Sequence, residues 1–306
     1  MQLIAIFGPT GVGKTALAVA LARRLRDAGE QPVAVSADAL QVYAGIETLT
    51  GVASAAQQRE LEHRLVSFVP IAESFSAGRY AQLAHAEIDT LLAAGRAPIV
   101  IGGTGLYLRA ALTNLSLRPP PQPQARAQVA AALAELGPAA LHARLHEQAP
   151  AEAQRIDPAD GRRIARALEL LASGELPPRP HANELWTEHT RHPTLLVGLT
   201  MERAALYARI DARVQEIVDA GARAQVLRAD AAGASVTARA ALGFAELLAG
   251  DVEAMQRRTR NYARRQLTWM RKLAGVTAID VTGRAPDEVA REVLDARTED
   301  FSGAPA

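Results

Sequence analysis

Residues 8–15 read GPTGVGKT, a spacing of glycine, lysine and threonine that is typical of a phosphate-binding loop. Gly8 and Gly13 permit the backbone conformations that turn successive N–H groups towards one anion. Lys14 can carry a positive charge to the terminal phosphate, and the Thr15 hydroxyl is suited to bind Mg²⁺. The pattern therefore predicts a site for a polyphosphate, without specifying a nucleotide.

Such a loop needs a strand before it and a helix after it, and the flanking sequence predicts both. Residues 2–7 form an apolar run of the buried-strand type, and leucines recur every four residues after Thr15 until the helix ends near Gly29. Further elements of the same kind are strands at 32–36, 97–101, 194–199 and 276–280 and a helix at 79–94. This alternation predicts the α/β class, with a P-loop parallel β-sheet core flanked by helices.

The alternation stops in the middle of the chain. Proline-rich breaks, RPPPQP at 118–123 and PPRP at 177–180, enclose helical patterns at 124–136, 138–148 and 160–173. Helical patterns return at 202–228 and 236–273. We therefore predict an all-helical insertion domain at 118–190, a discontinuous core of 1–117 and 191–282, and a C-terminal tail at 283–306 that is disordered after Ser302.

Composition narrows the class of protein. Of the 306 residues, 49% are hydrophobic and 22% charged, a balance that is typical of soluble globular proteins. No apolar run approaches the roughly 18–20 residues that a membrane span needs. The start has no signal-peptide pattern, and cysteine is absent, which excludes disulfides and thiolate metal sites. We expect a cytoplasmic protein without a membrane partner.

A carboxylate follows the second predicted strand. Asp38 stands in SADALQVYAG, whereas the strand at 97–101 runs into Gly-Gly-Thr-Gly and lacks the terminal Asp with which P-loop ATPases hold Mg²⁺. An Asp at the carboxyl end of a parallel strand lies where ligands bind, as a base or beside a metal. A helix N-cap explains an isolated Asp in such a turn equally well.

Residues 257–272, RRTRNYARRQLTWMRK, combine seven basic residues with no acid. On a helix, one stripe carries Arg258, Tyr262, Arg265, Trp269 and Lys272, and a second stripe suited to packing carries Ala263, Leu267, Met270 and Ala274. Basic residues interleaved with aromatics favour RNA phosphate contact and base stacking. The alternative is a solvated basic helix whose aromatic rings only cap the core.

Several segments occur together in a recognisable order. These are GPTGVGKT, SADALQVYAG, PIVIGGTGLYLRA, RIDPADGRRIARALEL, RAALYARIDARV and RNYARRQLTWMRK. In this order, from about residue 3 to 280, the chain resembles the tRNA dimethylallyltransferases. The resemblance implies transfer of a dimethylallyl group from dimethylallyl diphosphate to the N6 amine of adenosine 37 in tRNA, with release of pyrophosphate.

The resemblance also implies roles for individual residues. The loop, comprising Gly8, Pro9, Thr10, Gly11, Val12, Gly13, Lys14 and Thr15, would hold the diphosphate, with Mg²⁺ as cofactor on Thr15. Asp38 would be the general base that takes the proton from the adenine amine. Thr10, Lys14 and Arg203 would complete the catalytic set, Arg203 by reaching the diphosphate.

The implied tRNA contacts are distributed along the chain. They comprise Asp38, Ala39, Leu40, Gln41, Thr104, Arg126, Arg162, Arg163, Arg166, Arg239, Gly243, Arg258, Arg260, Arg264 and Arg265. A base stacked in an anticodon loop must turn out to reach a buried allylic carbon. We therefore expect a channel that admits diphosphate and base from opposite mouths, with the insertion contacting the anticodon stem, in a monomer.

Two segments depart from the family pattern, and other activities stay open. Residues 48–55 read TLTGVASA where the family often has a GTAKP-like stretch, and residues 62–70 read EHRLVSFVP where it has a PHHLID-like segment. The alternatives are a P-loop small-molecule kinase, an isopentenyltransferase acting on free adenine nucleotides, and a non-catalytic RNA-binding protein. The basic helix and the insertion argue against the first two, and intact Lys14, Thr15 and Asp38 argue against the third.

Overall fold

The structure is a computed structural model that describes residues 2–117, 122–174 and 184–302. One parallel sheet has the strand order β3-β2-β4-β1-β5-β6, formed by β1 (Leu3–Phe7), β2 (Pro32–Ser36), β3 (His63–Arg64), β4 (Ala97–Gly102), β5 (Thr194–Thr200) and β6 (Val276–Asp280). The α/β fold class and the five predicted strands are confirmed. The sequence did not predict β3, because two residues in a polar segment show no periodicity.

Helices cover both faces of the sheet. They are α1 (Lys14–Asp27), α2 (Glu47–Thr50), α3 (Ala55–Glu60), α4 (Ala77–Ala93), α5 (Gly105–Leu112), α6 (Pro123–Gln148), α7 (Pro150–Ala153), α8 (Gly161–Ala172), α9 (Arg203–Asp219), α10 (Ala222–Ala231), α11 (Val236–Arg239), α12 (Phe244–Ala249), α13 (Val252–Met270) and α14 (Pro286–Ser302). The predicted helices at 202–228 and 236–273 were each too long. Glycines with positive φ at 221, 243 and 250 divide them.

The central strand shows why the sheet is buried on both sides. Leu3, Ala5 and Phe7 of β1 face the cluster formed with α4, α5 and α13, whereas Ile4 and Ile6 face the cluster formed with α1 and α14. Successive side chains of a strand point to opposite faces, so a continuous apolar run is what a doubly covered parallel strand requires. None of the helices in the described part of the chain is long and apolar enough to cross a membrane.

The chain divides into two compact units, residues 1–117 with 184–306 and residues 118–183. In the smaller unit, α6 breaks at Gly137, where φ is +77°, and its core includes Leu141, Leu145 and Ile164. The predicted boundary at 190 was too late, because Trp186 packs on Trp269 in the larger unit. The proline-rich breaks at 118–121 and 177–180 lie outside the described residues.

The predicted C-terminal tail is wrong as far as Ser302. Helix α14 buries Val289, Ala290 and Val293 in the cluster that contains α1. Arg24 of α1 also forms a bidentate ion pair with Asp287. The last four residues, 303–306, lie outside the described part of the chain.

Candidate active site

The phosphate loop joins β1 to α1 at the carboxyl edge of the sheet. Gly13 caps α1 with φ +104°, and no side chain caps the first turn, so the N–H groups of α1 remain available to an anion. The Lys14 ammonium donates to the carbonyls of Gly8 and Pro9, at 2.9 Å each. Burial, strengthened by the charge of Arg213 and opposed by Asp38, lowers the pKa of Lys14 to about 8. The loop is therefore a buried cationic pocket in need of a negative ligand.

The glycine turn after β4 lies directly against this loop. A Cβ on Gly102 would overlap the Ala37 carbonyl oxygen. A Cβ on Gly103 would overlap the Gln266 amide nitrogen and would stand 3.4 Å from both Lys14 Nζ and the Gly8 oxygen. Only glycine fits between these groups. The sequence Gly-Gly at this strand end is therefore a steric requirement of close packing on the loop.

Asp38 lies in the same cavity as Lys14. Its Oδ1 accepts hydrogen bonds from the backbone N–H of Leu40, at 2.9 Å, and of Gln41, at 3.4 Å. Oδ2 has no hydrogen bond to any residue that the structure describes. The carboxylate thus closes a turn and not a helix, which removes the N-cap explanation and leaves one oxygen for a substrate.

The Gln41 amide lies in the cavity wall and is already engaged. Its Oε1 accepts from the Ser36 hydroxyl at 2.9 Å, and its Nε2 donates to the Gly51 carbonyl at 3.1 Å. Leu40 lines the cavity beside it, whereas Ala39 does not belong to the cavity wall. In this conformation Gln41 anchors the divergent segment 48–55, so a base contact through its amide would require these bonds to open.

The structure corrects one predicted diphosphate contact. Arg203 is exposed at the start of α9 and stacks over the Tyr207 ring at 5.3 Å, away from the cavity. Arg209 and Arg213, on the same helix, line the cavity instead, and neither forms an ion pair with a described residue. Burial lowers the pKa of Arg213, with a further contribution from Arg209. The Glu216 carboxylate, also in the cavity wall, opposes this shift and offsets part of the charge of Arg213. Two guanidinium groups and Lys14 in one cavity still favour a polyanion.

The same cavity has a volume of about 410 Å³ and is lined by apolar as well as polar side chains. Its polar part contains Thr10, Lys14, Thr15 and Asp38. Its apolar wall is formed by side chains from five separate segments, namely Leu40, Leu49, Val214, Ile217, Leu242 and Met255. A ligand that fits must combine a highly charged group with a small hydrocarbon group.

Helix α13 presents different faces to the cavity and to solvent. Met255, Thr259, Tyr262 and Gln266 recur at steps of three or four residues and line the cavity. Burial and the nearby Asp38 charge raise the pKa of Tyr262 to about 12, and its hydroxyl lies 3.4 Å from Thr104 Oγ1. The sequence predicted a stripe in which aromatic rings stand among the arginines and stack on RNA bases. That prediction is wrong for Tyr262, because its ring faces inward.

The second aromatic residue of that stripe is also held by the protein. Trp269 packs against Trp186, with ring centroids 4.7 Å apart, and Gly105 leaves the space that its ring occupies. The basic residues Arg264 and Arg265 remain exposed, and Arg265 lies over the Tyr262 ring at 5.6 Å. The exposed face of α13 thus supplies charge, whereas its aromatic rings supply packing.

Several predicted tRNA contacts already have acidic partners. On the larger unit, Arg258 pairs with Glu246, Arg260 with Asp211 and Arg239 with Asp230. Gly243 caps α12 with φ +91°, where a Cβ would meet Met255. The Arg239–Asp230 pair is the most exposed of the three. Exposed ion pairs contribute little to stability, so a polyanion can displace that pair at low cost.

The predicted contacts on the smaller unit lie on α6 and α8. Arg162 and Arg163 are exposed in the first turn of α8, where Arg163 pairs with Asp160 at 3.3 Å. Arg166, one turn later, pairs with Glu169 at 3.4 Å. Arg126 is partly buried on α6.

Sequence reasoning missed Arg209, Arg213 and Gln266. The two arginines are four residues apart within RAALYARIDARV, a spacing that places them on one helix face. That signal was available, but it does not indicate which face meets the cavity. Gln266 had no signal, because a glutamine in a basic helix is typical of a solvated surface.

The chain is similar in sequence to proteins of one family. The sequence profile of the IPP transferase family matches residues 41–273. The tRNA dimethylallyltransferase of Kineococcus radiotolerans is 40% identical, over 96% of each chain, and that of Anaeromyxobacter sp. (strain Fw109-5) is 43% identical, over 95% of this chain and 98% of the other.

Solved structures are similar over almost the whole chain. The tRNA isopentenylpyrophosphate transferase of Bacillus halodurans matches with a TM-score of 0.70 and 31% identity, covering 98% of this chain and 97% of that one. A eukaryotic dimethylallyltransferase acting on tRNA matches with a TM-score of 0.77 and 22% identity, covering 99% of this chain and 80% of the other. The latter supports the fold alone.

Proposed function

The chain belongs to the IPP transferase family, a family of tRNA-prenylating enzymes, and we propose that it transfers a dimethylallyl group from dimethylallyl diphosphate to the N6 amine of adenosine 37 in the tRNA anticodon loop. The observation that carries the proposal is one cavity whose lining combines three cationic side chains, those of Lys14, Arg209 and Arg213, with the Asp38 carboxylate and an apolar wall. Such a cavity suits an allylic diphosphate and an acceptor amine.

The transfer forms one bond, breaks one bond and releases one proton, and the substrates and Asp38 account for all three changes. The lone pair of N6 forms a bond to the allylic C1 while the C1–O bond breaks, and the electron pair leaves with pyrophosphate. The proton of the alkylated amine passes to the free Oδ2 of Asp38. Preorganised cations around a leaving group typically contribute about 10²–10³ in rate for each donor.

Lys14 and the arginines act on the leaving group. The Lys14 ammonium needs to exchange only two carbonyl partners, those of Gly8 and Pro9, for phosphate oxygens. Arg209 and Arg213 require no broken ion pair with a described residue. The charges are therefore in place before the C–O bond breaks, which reduces the reorganisation that the transition state requires.

The side chains of the cavity suit Mg²⁺ only when the diphosphate substrate supplies further oxygen ligands. No group of three or more His, Cys, Asp or Glu side chains in the described residues could hold a metal. Thr15 lines the same cavity as Asp38, and Mg²⁺ commonly keeps several waters and binds through one protein oxygen and phosphate oxygens. On the Thr15 hydroxyl it would neutralise diphosphate charge.

The acceptor is proposed to be a base turned out of the RNA. The exposed arginines of α13 supply the positive surface that the phosphate backbone requires. We expect the reaction to take place in the cytoplasm, with the enzyme acting as a monomer.

The test uses labelled dimethylallyl diphosphate, Mg²⁺ and unmodified tRNA, with and without ATP. We expect label in the tRNA without ATP, at adenosine 37 after nuclease digestion, and no label in free AMP. Label in AMP but not in tRNA would contradict the RNA acceptor. ATP hydrolysis without prenyl transfer would overturn the proposal in favour of a kinase.

A further inference from the structure

Gln266 is a buried polar side chain, 5% exposed, on the cavity face of α13. Its Oε1 accepts from the Thr10 N–H at 2.8 Å, and its Nε2 donates to the Gly103 carbonyl at 2.7 Å. The two partners lie in different loops, one after β1 and one after β4. One amide therefore connects the phosphate loop, the glycine turn and α13.

The two bonds define the orientation of the amide. The Thr10 N–H faces the amide oxygen of Gln266, and the Gly103 carbonyl faces its amide nitrogen. If the amide were flipped, both bonds would be lost. The glycine at 103 is required by the same contact, because a Cβ there would overlap Nε2. The arrangement leaves no second way to satisfy the three polar groups in this buried position.

Together with Lys14, this amide holds consecutive backbone groups of the loop. Lys14 takes the carbonyls of Gly8 and Pro9, and Gln266 takes the next N–H, that of Thr10. The Thr10 N–H is thus committed to α13 and not to a phosphate. The conformation of the loop depends on a side chain from a helix whose opposite face carries exposed arginines.

We propose that Gln266 is a positioning residue that holds the phosphate loop in its diphosphate-binding conformation and in register with α13. The inference rests on the proposed function for the identity of the diphosphate substrate. Gln266 touches neither reacting group, and it acts by keeping the loop amides and Lys14 preorganised. Loss of its two hydrogen bonds would weaken diphosphate binding and leave the exposed RNA-facing arginines unchanged.

The experiment compares Gln266→Met with Gln256→Met, a control on the same helix at a residue that is not part of the cavity wall. Calorimetry measures the Kd of magnesium pyrophosphate, and fluorescence anisotropy measures the Kd of an unmodified anticodon stem-loop RNA. For Gln266→Met we expect the pyrophosphate Kd to rise about 10- to 30-fold, the cost of two hydrogen bonds, and the RNA Kd to change less than twofold. The control should match wild type in both.

Two outcomes would overturn the inference. One is an unchanged pyrophosphate Kd in a folded Gln266→Met protein, and the other is an equal loss for both ligands, which would indicate general destabilisation. If Gln266→Met does not fold, Gln266→Glu keeps the acceptor for Thr10 and removes the donor to Gly103, and Gly103→Ala displaces the same amide. Wild-type pyrophosphate affinity in these variants would also overturn it.

The binding assay does not depend on catalysis. A wild-type protein that binds pyrophosphate but transfers no label to tRNA would contradict the proposed function and leave the Gln266 inference standing. Conversely, the wild-type protein could transfer label while the Gln266→Met variant binds pyrophosphate normally. That result would support the proposed function and contradict the Gln266 inference.

Discussion

Replacement of Arg213 by alanine tests the corrected diphosphate site most directly. Arg213 lines the cavity, has no ion pair with a described residue, and lies close enough to Lys14 to lower its pKa. Arg203→Ala is the matched control, because that residue is exposed and contacts the Tyr207 ring. The family resemblance implied Arg203, whereas the structure favours Arg213.

The magnitude follows from the kind of bond that is lost. A charge-assisted hydrogen bond between a guanidinium and a phosphate contributes about 1.5–3 kcal/mol. Its loss reduces kcat/KM for dimethylallyl diphosphate by about 10- to 150-fold. Arg203→Ala loses one exposed cation–π contact, so we expect kcat/KM within about twofold of wild type and a small loss of stability, up to about 1 kcal/mol.

The assay is label transfer to saturating anticodon stem-loop RNA at varied dimethylallyl diphosphate concentration. Since Arg213→Ala removes a positive charge from beside Lys14, its Tm without ligand should not fall, which separates lost binding from unfolding. The KM for RNA should stay constant in both variants. A large loss for Arg203→Ala with normal kinetics for Arg213→Ala would refute the reasoning.

Four further predictions concern other parts of the site and fold. Gly51→Ala should raise the KM for dimethylallyl diphosphate about tenfold, because φ is +65° and the new Cβ would overlap Arg213, and unchanged kinetics would contradict this. Asp38→Asn should reduce kcat about 10²- to 10⁴-fold with little change in pyrophosphate Kd, and normal transfer would exclude Asp38 as the base. In ligand-free protein, the folded pKa of Lys14 lies below the unfolded value of 10.5, so the unfolded chain binds more protons between pH 8 and 10.5. Stability in urea should therefore rise with pH across that window by about 1–3 kcal/mol, and Lys14→Met should abolish the rise. Val293→Ala should lower the free energy of unfolding by about 1–2 kcal/mol if α14 belongs to the core, and an unchanged midpoint would indicate that it does not.

The phosphate loop and the sheet were predictable because their determinants are local. The glycines of residues 8–15 and the apolar runs on both sides of them act within a few residues, and the structure places them as predicted. The ends of long helices were less predictable. Glycine terminates some helices and is tolerated in others, so Gly221 and Gly250 could not be recognised as breaks from spacing alone.

The residue types of the site could be predicted from the sequence, but the directions in which the helical side chains point could not. Asp38 and Lys14 were assigned to one site because each follows the carboxyl end of a predicted parallel strand, and they share one cavity in the structure. The arginines of α9 illustrate the limit, because a helix with arginines on several faces does not reveal which face meets the cavity. The choice between Arg203 and Arg213 depends on how α9 packs against α13 and the sheet.

The sequence by itself determined the parallel α/β core, the phosphate loop and the basic character of α13, since each arises from residue types at fixed short spacing. The tertiary structure alone decided that Tyr262 and Trp269 face the protein, that Gln266 joins two loops, and that Pro286–Ser302 forms a packed helix. These features depend on contacts between residues far apart in the chain. Which side chains are buried, and which pair by hydrogen bonds across such distances, depends on how the whole chain packs. A short sequence pattern therefore does not predict them.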